Sequence, residues 1–270
     1  MERLEKTIGI IGAGSMGGAI ARGLVGSGLV AVDQVSVCDP SQAACEGLDA
    51  EGFACHEDLA GLLAQRPEVL VLAVKPQVLP KVMLDLAPLM PAGQLVVSIA
   101  AGVKLDTLEA ALPGARVVRV MPNLPLQVLS GATAVCPGAY ASADDAELVR
   151  TMFAALGSAQ VMTEAQLDVA GAVTGCGPAF FALFVDDLTR AGVRAGLPAA
   201  ACREMVLATM RGVAQQLLES GEHPRSYLDR VTSPGGTTAS ALQEMEGPLF
   251  YAVSDAIDAA LARTAQLAKG

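Results

Sequence analysis

Gly12-Ala13-Gly14-Ser15-Met16-Gly17 follows an apolar, β-branched run, Thr7 to Ile11, and leads into a helix-forming stretch; no other segment restricts the fold as much. A G-x-G-x-x-G string alone says little in a chain with 28 glycines. Its setting says more. A second short apolar run, Val35 to Cys38, comes next and ends in an acid, Asp39. In a βαβ unit of this kind the first glycine makes the tight turn and the second lets backbone approach a pyrophosphate. The third lets helix and strand pack closely, and the acid reaches a ribose. Gly12, Gly14, Gly17 and Asp39 meet these demands, with Ala13, Ser15 and Met16 completing the loop. The N-terminal part is therefore expected to be a Rossmann-like, mostly parallel sheet that binds a dinucleotide.

The βα rhythm continues through Val69 to Val74 and Gln94 to Ile99, uninterrupted apolar runs of the sort that strands covered on both faces require. Ligands of open α/β sheets lie beyond the carboxyl ends of the strands. Ala73-Val74-Lys75-Pro76 and Ile99-Ala100-Ala101-Gly102 are therefore expected to flank the cofactor. Lys75 would reach a ribose hydroxyl or phosphate, or stand as a solvated loop lysine. The small residues at Ala100 to Gly102 would let a nicotinamide lie against backbone. A further run, Arg116 to Val120, ends near Asn123, the chain's one asparagine, set between prolines. It is expected either to contact cofactor or substrate or to serve as a turn residue. Two short strands (Ala132 to Cys136, Ala159 to Met162) and a helix (Ala143 to Leu156) close a first domain, 1–163.

From Glu164 the strand signals stop, and a second domain, 164–270, reads as helices over about 165–192, 199–220, 224–231, 238–245 and 248–268. Cys176-Gly177-Pro178 marks a kink in the first, because proline removes a donor and crowds the preceding turn. Its helices are apolar on more than one face, more than about 105 residues can bury alone, so a homodimer built through this half is expected. Within it, Ser233-Pro234-Gly235-Gly236-Thr237-Thr238 precedes a helix that Thr237 or Thr238 could cap. Its backbone N–H groups suit a small carboxylate or phosphate.

Composition narrows the partners. With 18 Lys+Arg against 28 Asp+Glu, the chain lacks the basic surface that nucleic acid or an anionic membrane demands. Mean hydropathy is +0.46, yet no uninterrupted apolar run approaches the ~18 residues of a span. The charged N-terminus lacks a signal peptide's core, so a cytoplasmic location is expected. Six cysteines without C-x-x-C spacing and only His56 and His223 beside them predict reduced thiols and no metal site.

With these pieces placed, the chain resembles the pyrroline-5-carboxylate reductase family. The resemblance covers Ile8 to Gly17, Ala73 to Pro76, Ser98 to Val103, Arg119 to Pro125, Thr174 to Phe180, His223-Pro224 and Asp229 to Thr238. It implies reduction of the cyclic imine Δ1-pyrroline-5-carboxylate to L-proline with NADPH or NADH, interleaved helices of two subunits, and larger assemblies of dimers. By resemblance, Gly12 to Gly17, Ala73 to Pro76 and Ile99 to Ala101 hold the dinucleotide. Glu164, Arg230, Thr237 and Thr238 fall where that family contacts substrate. The chain departs from the family at Cys176, where serine is usual, at Leu124, where threonine is common, and at Asp39, where a small or amide residue is common. Asp39 predicts a bias towards NADH, since a 2′-phosphate would meet like charge. Cys176 is expected to replace serine beside the substrate rather than to act as a nucleophile.

Two rival functions share this architecture. A β-hydroxyacid dehydrogenase needs a proton donor or acceptor at the reacting oxygen, generally Lys or His, and from Glu164 onward there are only His223 and Lys269. A dinucleotide-sensing protein would keep the fold without the reaction; an intact second anion site at Ser233 to Thr238 speaks against it. For the reductase, Thr238 is expected to hydrogen-bond near the ring nitrogen.

Overall fold

The computed structural model describes residues 3–267. Strands and helices alternate as β1 (Ile8–Ile11), α1 (Ser15–Gly26), β2 (Val35–Cys38), α2 (Gln42–Ala50), β3 (Ala54–His56), α3 (Leu59–Ala64), β4 (Val69–Leu72), α4 (Leu79–Leu86), β5 (Leu95–Ser98), α5 (Leu105–Ala111) and β6 (Arg116–Met121). Then come β7 (Gly131–Pro137), α6 (Ala143–Ala154) and β8 (Gly157–Val161). The eight strands form one sheet in the order β3-β2-β1-β4-β5-β6-β7-β8. All neighbours are parallel except β6 and β7, so the last two strands run against the first six. The order reverses between β1 and β4, the switch point where such sheets bind ligands. Every residue of β1, β2, β4 and β5 is buried, as strands covered on both faces require.

Two clusters seal the faces. Ile10, Val37, Val71 and Val97 pack on one side with α1 and α6 residues such as Leu24 and Phe153. Leu70, Leu72 and Val96 pack on the other with Leu79 and Leu108 of α4 and α5. The expected strands match to within one to three residues. Both Val69 to Val74 and Gln94 to Ile99 stop early, at Leu72 and Ser98, which releases Ala73, Val74 and Ile99 into loops. The three-residue edge strand β3 carries no pattern by which the sequence could announce it.

The helical region comprises α7 (Glu164–Ala170), a π turn (Gly171–Gly175), α8 (Gly177–Arg194), α9 (Ala199–Ser220), α10 (Pro224–Val231) and α11 (Thr237–Leu267). The expected kink is this π turn. In a regular α-helix the Thr174 carbonyl would accept from residue 178, but Pro178 has no N–H and its ring would crowd that carbonyl. Thr174 O instead accepts Asn123 Nδ2 at 3.0 Å. The two helices expected over 238–245 and 248–268 are one. Pro248 lies inside α11 and Gly247 does not adopt a positive φ, so the Gly-Pro pair removes one hydrogen bond without ending the helix. Residue 268 lies outside the described residues.

Contacts divide the chain into two compact units, one running to Cys176 and including the chain from Leu261, the other Gly177–Ala260. Among residues 177–260 only Gly177, Thr189 and Cys202 are buried, while Phe181, Leu183, Phe250 and Tyr251 are each 60% exposed or more. The stretch Glu164–Arg194 is long and apolar enough to cross a bilayer by length and composition. It coincides with the helix expected over 165–192, whose apolar runs are interrupted by Asp168, Asp186 and Asp187.

Candidate active site

The first glycine turn leaves β1 with Gly12 at φ +108, a conformation that L side chains rarely adopt. Its N–H is held by the Cys38 carbonyl at 2.8 Å. A Cβ at Gly12 would stand 2.8 Å from the Ala73 carbonyl oxygen, and one at Gly17 only 1.9 Å from that of Gly12. These two glycines thus let the loops after β1 and β4 and the first turn of α1 close on one another. Gly14 is different: nothing stands within 4 Å of its added Cβ, so the glycine faces open space. It is the N-cap of α1 and offers no side-chain cap, while its carbonyl accepts from Gly18. The N–H groups of Ser15, Met16 and Gly17 are left without an intrahelical partner. A positively polarised helix end beside a backbone cradle with room in front fits a dinucleotide pyrophosphate.

The neighbouring expected residues gather at the same sheet edge. Asp39, at the end of β2, accepts Ala13 N–H on Oδ2 and Ser41 N–H on Oδ1, both at 2.9 Å. Its carboxylate is therefore fixed against the glycine loop. Ala73 N–H bonds Ile11 O, which carries the β1–β4 pairing one residue past the strands. Lys75 is exposed, and its carbonyl accepts from Val78 and Leu79 as α4 begins. After β5, Ile99 N–H bonds Leu72 O, Ala100 is buried, Ala101 is exposed and Gly102 has φ +78. Gln127, not anticipated, donates to Ser15 Oγ at 3.2 Å.

Asn123 belongs to the scaffold. Its amide nitrogen serves Thr174 O and its Oδ1 accepts Ala132 N–H at 2.8 Å, so it pins the π turn to β7. The structural demand comes from Pro178, fifty-five positions away, which leaves a carbonyl that the Asn123 side chain satisfies.

Glu164, the first residue of α7, places both its contacts on Oε1: Leu105 N–H and Arg119 Nη1, each at 2.8 Å. The side chain remains 28% exposed. Arg119 is 1% exposed and also donates through Nη2 to Asp168 Oδ1 at 2.9 Å, while Lys104 pairs with the other Asp168 oxygen. Burial works against the Asp168 charge, but the Lys104 hydrogen bond and the Arg119 charge outweigh it and hold the carboxyl below its usual range. Sequence reading missed Arg119, Asp168 and Lys104. A signal was present: an arginine inside Arg-Val-Val-Arg-Val, read as a further apolar run, must find acids once that run is buried.

The second set of expected residues lies in the other unit. Arg230, in the last turn of α10, pairs with Glu222 at 2.9 Å and lies 4.7 Å from the centroid of the Tyr227 ring. After it, Gly235 has φ +69 and Gly236 N–H bonds Ser233 O at 2.9 Å. A Cβ at Gly236 would stand 2.3 Å from Ser233 Oγ and 3.1 Å from the Ser233 carbonyl oxygen, so an added side chain would displace the Ser233 hydroxyl. Thr237 and Thr238 are the first two residues of α11 rather than its cap, which corrects the expected capping role. Ser240 N–H already bonds Gly236 O, so Thr237, Thr238 and Ala239 present the N–H groups without intrahelical partners. His223 is committed elsewhere: its Nδ1 accepts Arg225 N–H and caps α10.

Comparison with known proteins finds matches to both regions. A family model described as pyrroline-5-carboxylate reductase dimerisation matches residues 164–267. Another, described as NADP oxidoreductase coenzyme F420-dependent, matches residues 7–102. The pyrroline-5-carboxylate reductase of Escherichia coli K12 is 36% identical over 268 residues, covering 98% of this chain and all of the relative. Among solved structures, a pyrroline-5-carboxylate reductase from Coxiella burnetii superposes with a TM-score of 0.93 at 29% identity, covering 99% of this chain and 100% of the other. The Plasmodium falciparum pyrroline carboxylate reductase with NADP bound gives 0.85 at 27% identity, with the same coverage. From the glycine turn to the last helix, the chain belongs to the pyrroline-5-carboxylate reductase family.

Proposed function

We propose that this enzyme reduces the cyclic imine of Δ1-pyrroline-5-carboxylate to L-proline, with its dinucleotide held by Gly12 to Gly17, Asp39, Ala73 to Pro76 and Ile99 to Ala101. The observation that carries the reading is that each unit offers one helix start suited to an anion, α1 and α11, while the described residues of the helical half offer no lysine and no uncommitted histidine as general acid. There the one histidine caps α10 and the one lysine is Lys269. A carbonyl reductase needs such an acid; an imine protonated on nitrogen is already electrophilic, so positioning and a hydrogen bond suffice. A bound reduced nicotinamide would supply the hydride. Backbone N–H groups of the Ser233 to Thr238 turn hold the substrate carboxylate, with Ser233, Gly235, Gly236 and Thr237 shaping the cradle. Glu164 and Arg230 line the substrate. The Thr238 hydroxyl donates to or accepts from the ring nitrogen as it passes from imine to amine, and bulk water provides the proton.

We read the substrate and dimer half as beginning at Glu164, for functional domains 1–163 and 164–270; the start of the dimerisation match at residue 164 supports this reading. Two copies associate through it. The exposed apolar side chains of α8, α9 and α11 then meet a second subunit, and the hydropathy of Glu164–Arg194 is that of an interface rather than a membrane span. Six free thiols, with Cys38 and Cys55 pushed up to about 11 and about 12 chiefly by burial, fit a reducing, cytoplasmic setting.

For the cofactor, NADH is preferred. The Asp39 carboxylate is held in place by two N–H groups, and no lysine or arginine stands between Cys38 and Cys45 to offset a 2′-phosphate. Arg22 is bonded to Glu51 at 2.7 and 2.9 Å. Asp39→Ser should move the NADH to NADPH ratio of kcat/KM by roughly tenfold towards NADPH, as loss of about one unit of like-charge interaction implies; an unmoved ratio would reject this role.

The reaction itself is tested by following NAD(P)H oxidation with pyrroline-5-carboxylate beside open-chain keto acids. Selective turnover of the imine is expected, and turnover of the keto acids alone would favour the dehydrogenase reading. Thr238→Ala should lower kcat/KM by roughly 10 to 10³-fold with an unchanged melting temperature.

A further inference from the structure

Lys104, Arg119, Glu164 and Asp168 form a closed set of two cations and two anions, of which only Glu164 enters the chemistry proposed above. Arg119 sits in the middle of β6, beside Ser98 of β5 and Cys136 of β7. It is buried, and its Nε finds no hydrogen-bond partner among the described residues. All its pairing therefore rests on the two acids of α7. Those acids hold more than Arg119. The N-cap of α5 is Lys104, whose side chain makes no capping bond, and Glu164 supplies the missing acceptor by taking Leu105 N–H. Lys104 reaches the Asp168 oxygen that Arg119 leaves.

The consequence falls on the loop between β5 and α5. At its near end Ile99 N–H is bonded to Leu72 O, which fixes it to the sheet. At its far end two consecutive residues, Lys104 and Leu105, are tied to α7, and α7 in turn to buried Arg119. Between them Gly102, at φ +78, allows the reversal, and a single left-handed glycine leaves the loop free to swing unless both ends are held.

We infer that Lys104 and Asp168, braced by Arg119, are positioning residues that fix the loop 99–103 and thereby the nicotinamide face on Ala100 to Gly102; this rests on the proposed reaction. On the proposed function the glycine turn and Asp39 hold the dinucleotide independently of this loop. A loosened loop therefore disturbs the hydride-transfer geometry more than it weakens binding.

Lys104 is 42% exposed in its side chain, so its replacement spares the core. In Lys104→Met, kcat with pyrroline-5-carboxylate should fall about 3- to 10-fold while KM for the dinucleotide stays within about twofold, and Lys104→Arg should restore most of it. In the unliganded full-length protein, amide hydrogen exchange over 99–105 should rise about fivefold or more in Lys104→Met and not in Lys104→Arg. Asp168→Asn should show the same pattern more strongly. Unchanged loop exchange in Lys104→Met overturns the inference whatever the kinetics. So does faster exchange with wild-type kcat, or a rise in KM alone. Wild-type protein inert towards the imine would instead overturn the reaction, leaving exchange alone to decide whether the brace exists.

Discussion

Leu84 of α4 and Phe181 of α8 are similarly exposed, 74% and 65%, but they stand in regions built on different terms. Around Leu84 the sheet unit has sealed both its faces, with Ile10, Val71, Leu72 and Val97 excluded from solvent, and a lone surface leucine there is ordinary. Around Phe181 almost nothing is sealed. A fully buried leucine or phenylalanine stabilises by about 1.5–3 kcal/mol over an exposed one, and residues 177–260 bury no such side chain within the single chain. One unit holds itself together; the other derives its core from a second copy of itself.

The same substitution at the two positions separates these regimes most sharply. Phe181→Asp should dissociate the dimer and reduce activity about 100-fold or more, by placing a charge in what becomes a desolvated patch. Leu84→Asp should change stability by no more than about 0.5 kcal/mol. Sedimentation and melting over a dilution series measure both; a dimer that survives Phe181→Asp would erase the contrast.

Acid should attack the two units unequally. For Asp145, burial opposes ionisation, but bonds from the Ser142 backbone and hydroxyl, with Arg116 beside them, bring the carboxyl below its ordinary 3.8; Asp168 is lowered likewise. A carboxyl whose folded value is depressed contributes stability above its unfolded value and loses it as pH falls through the folded one. Both groups lie in the sheet unit. Melting temperature should therefore drop as pH passes below the ordinary aspartate value, and the Asp145→Asn, Asp168→Asn pair should flatten that dependence while lowering stability at neutral pH. A drop of the same size in the double variant would assign acid sensitivity elsewhere.

The smallest effect is expected where the two units join. Cys176 follows the π turn and is partly exposed, and reduction of an imine requires no covalent intermediate. Cys176→Ser should keep kcat/KM within about threefold, an allowance for one altered contact; loss of nearly all turnover in a folded dimer would give the thiol a chemical role.

What could be read from the sequence was local. Gly12, Gly17 and Gly236 each answer a steric demand from a neighbour a few residues away or from an adjoining loop, and strands covered on both faces write themselves as unbroken apolar runs. The helix through Pro248 was misread because a proline marks the loss of one bond, not the strength of the others along a 31-residue helix. Long-range pairing left still less trace. Arg119 meets Glu164 across 45 positions and Lys104 meets Asp168 across 64, and no periodicity links such residues. Asn123 belongs with them: its flanking prolines announced rigidity, while the carbonyl it serves is made needy by another proline far along the chain.

The π turn at Gly171–Gly175 also holds slack. A π turn accommodates about one residue more than the α-helical path it replaces. That spare residue lies between the acids of α7, which face Arg119, and Thr174, whose carbonyl accepts from the Asn123 amide. Excising one residue there would leave Glu164 and Asp168 facing Arg119 but pull the Thr174 carbonyl off Asn123, so a one-residue deletion in this segment should be harsher than most substitutions.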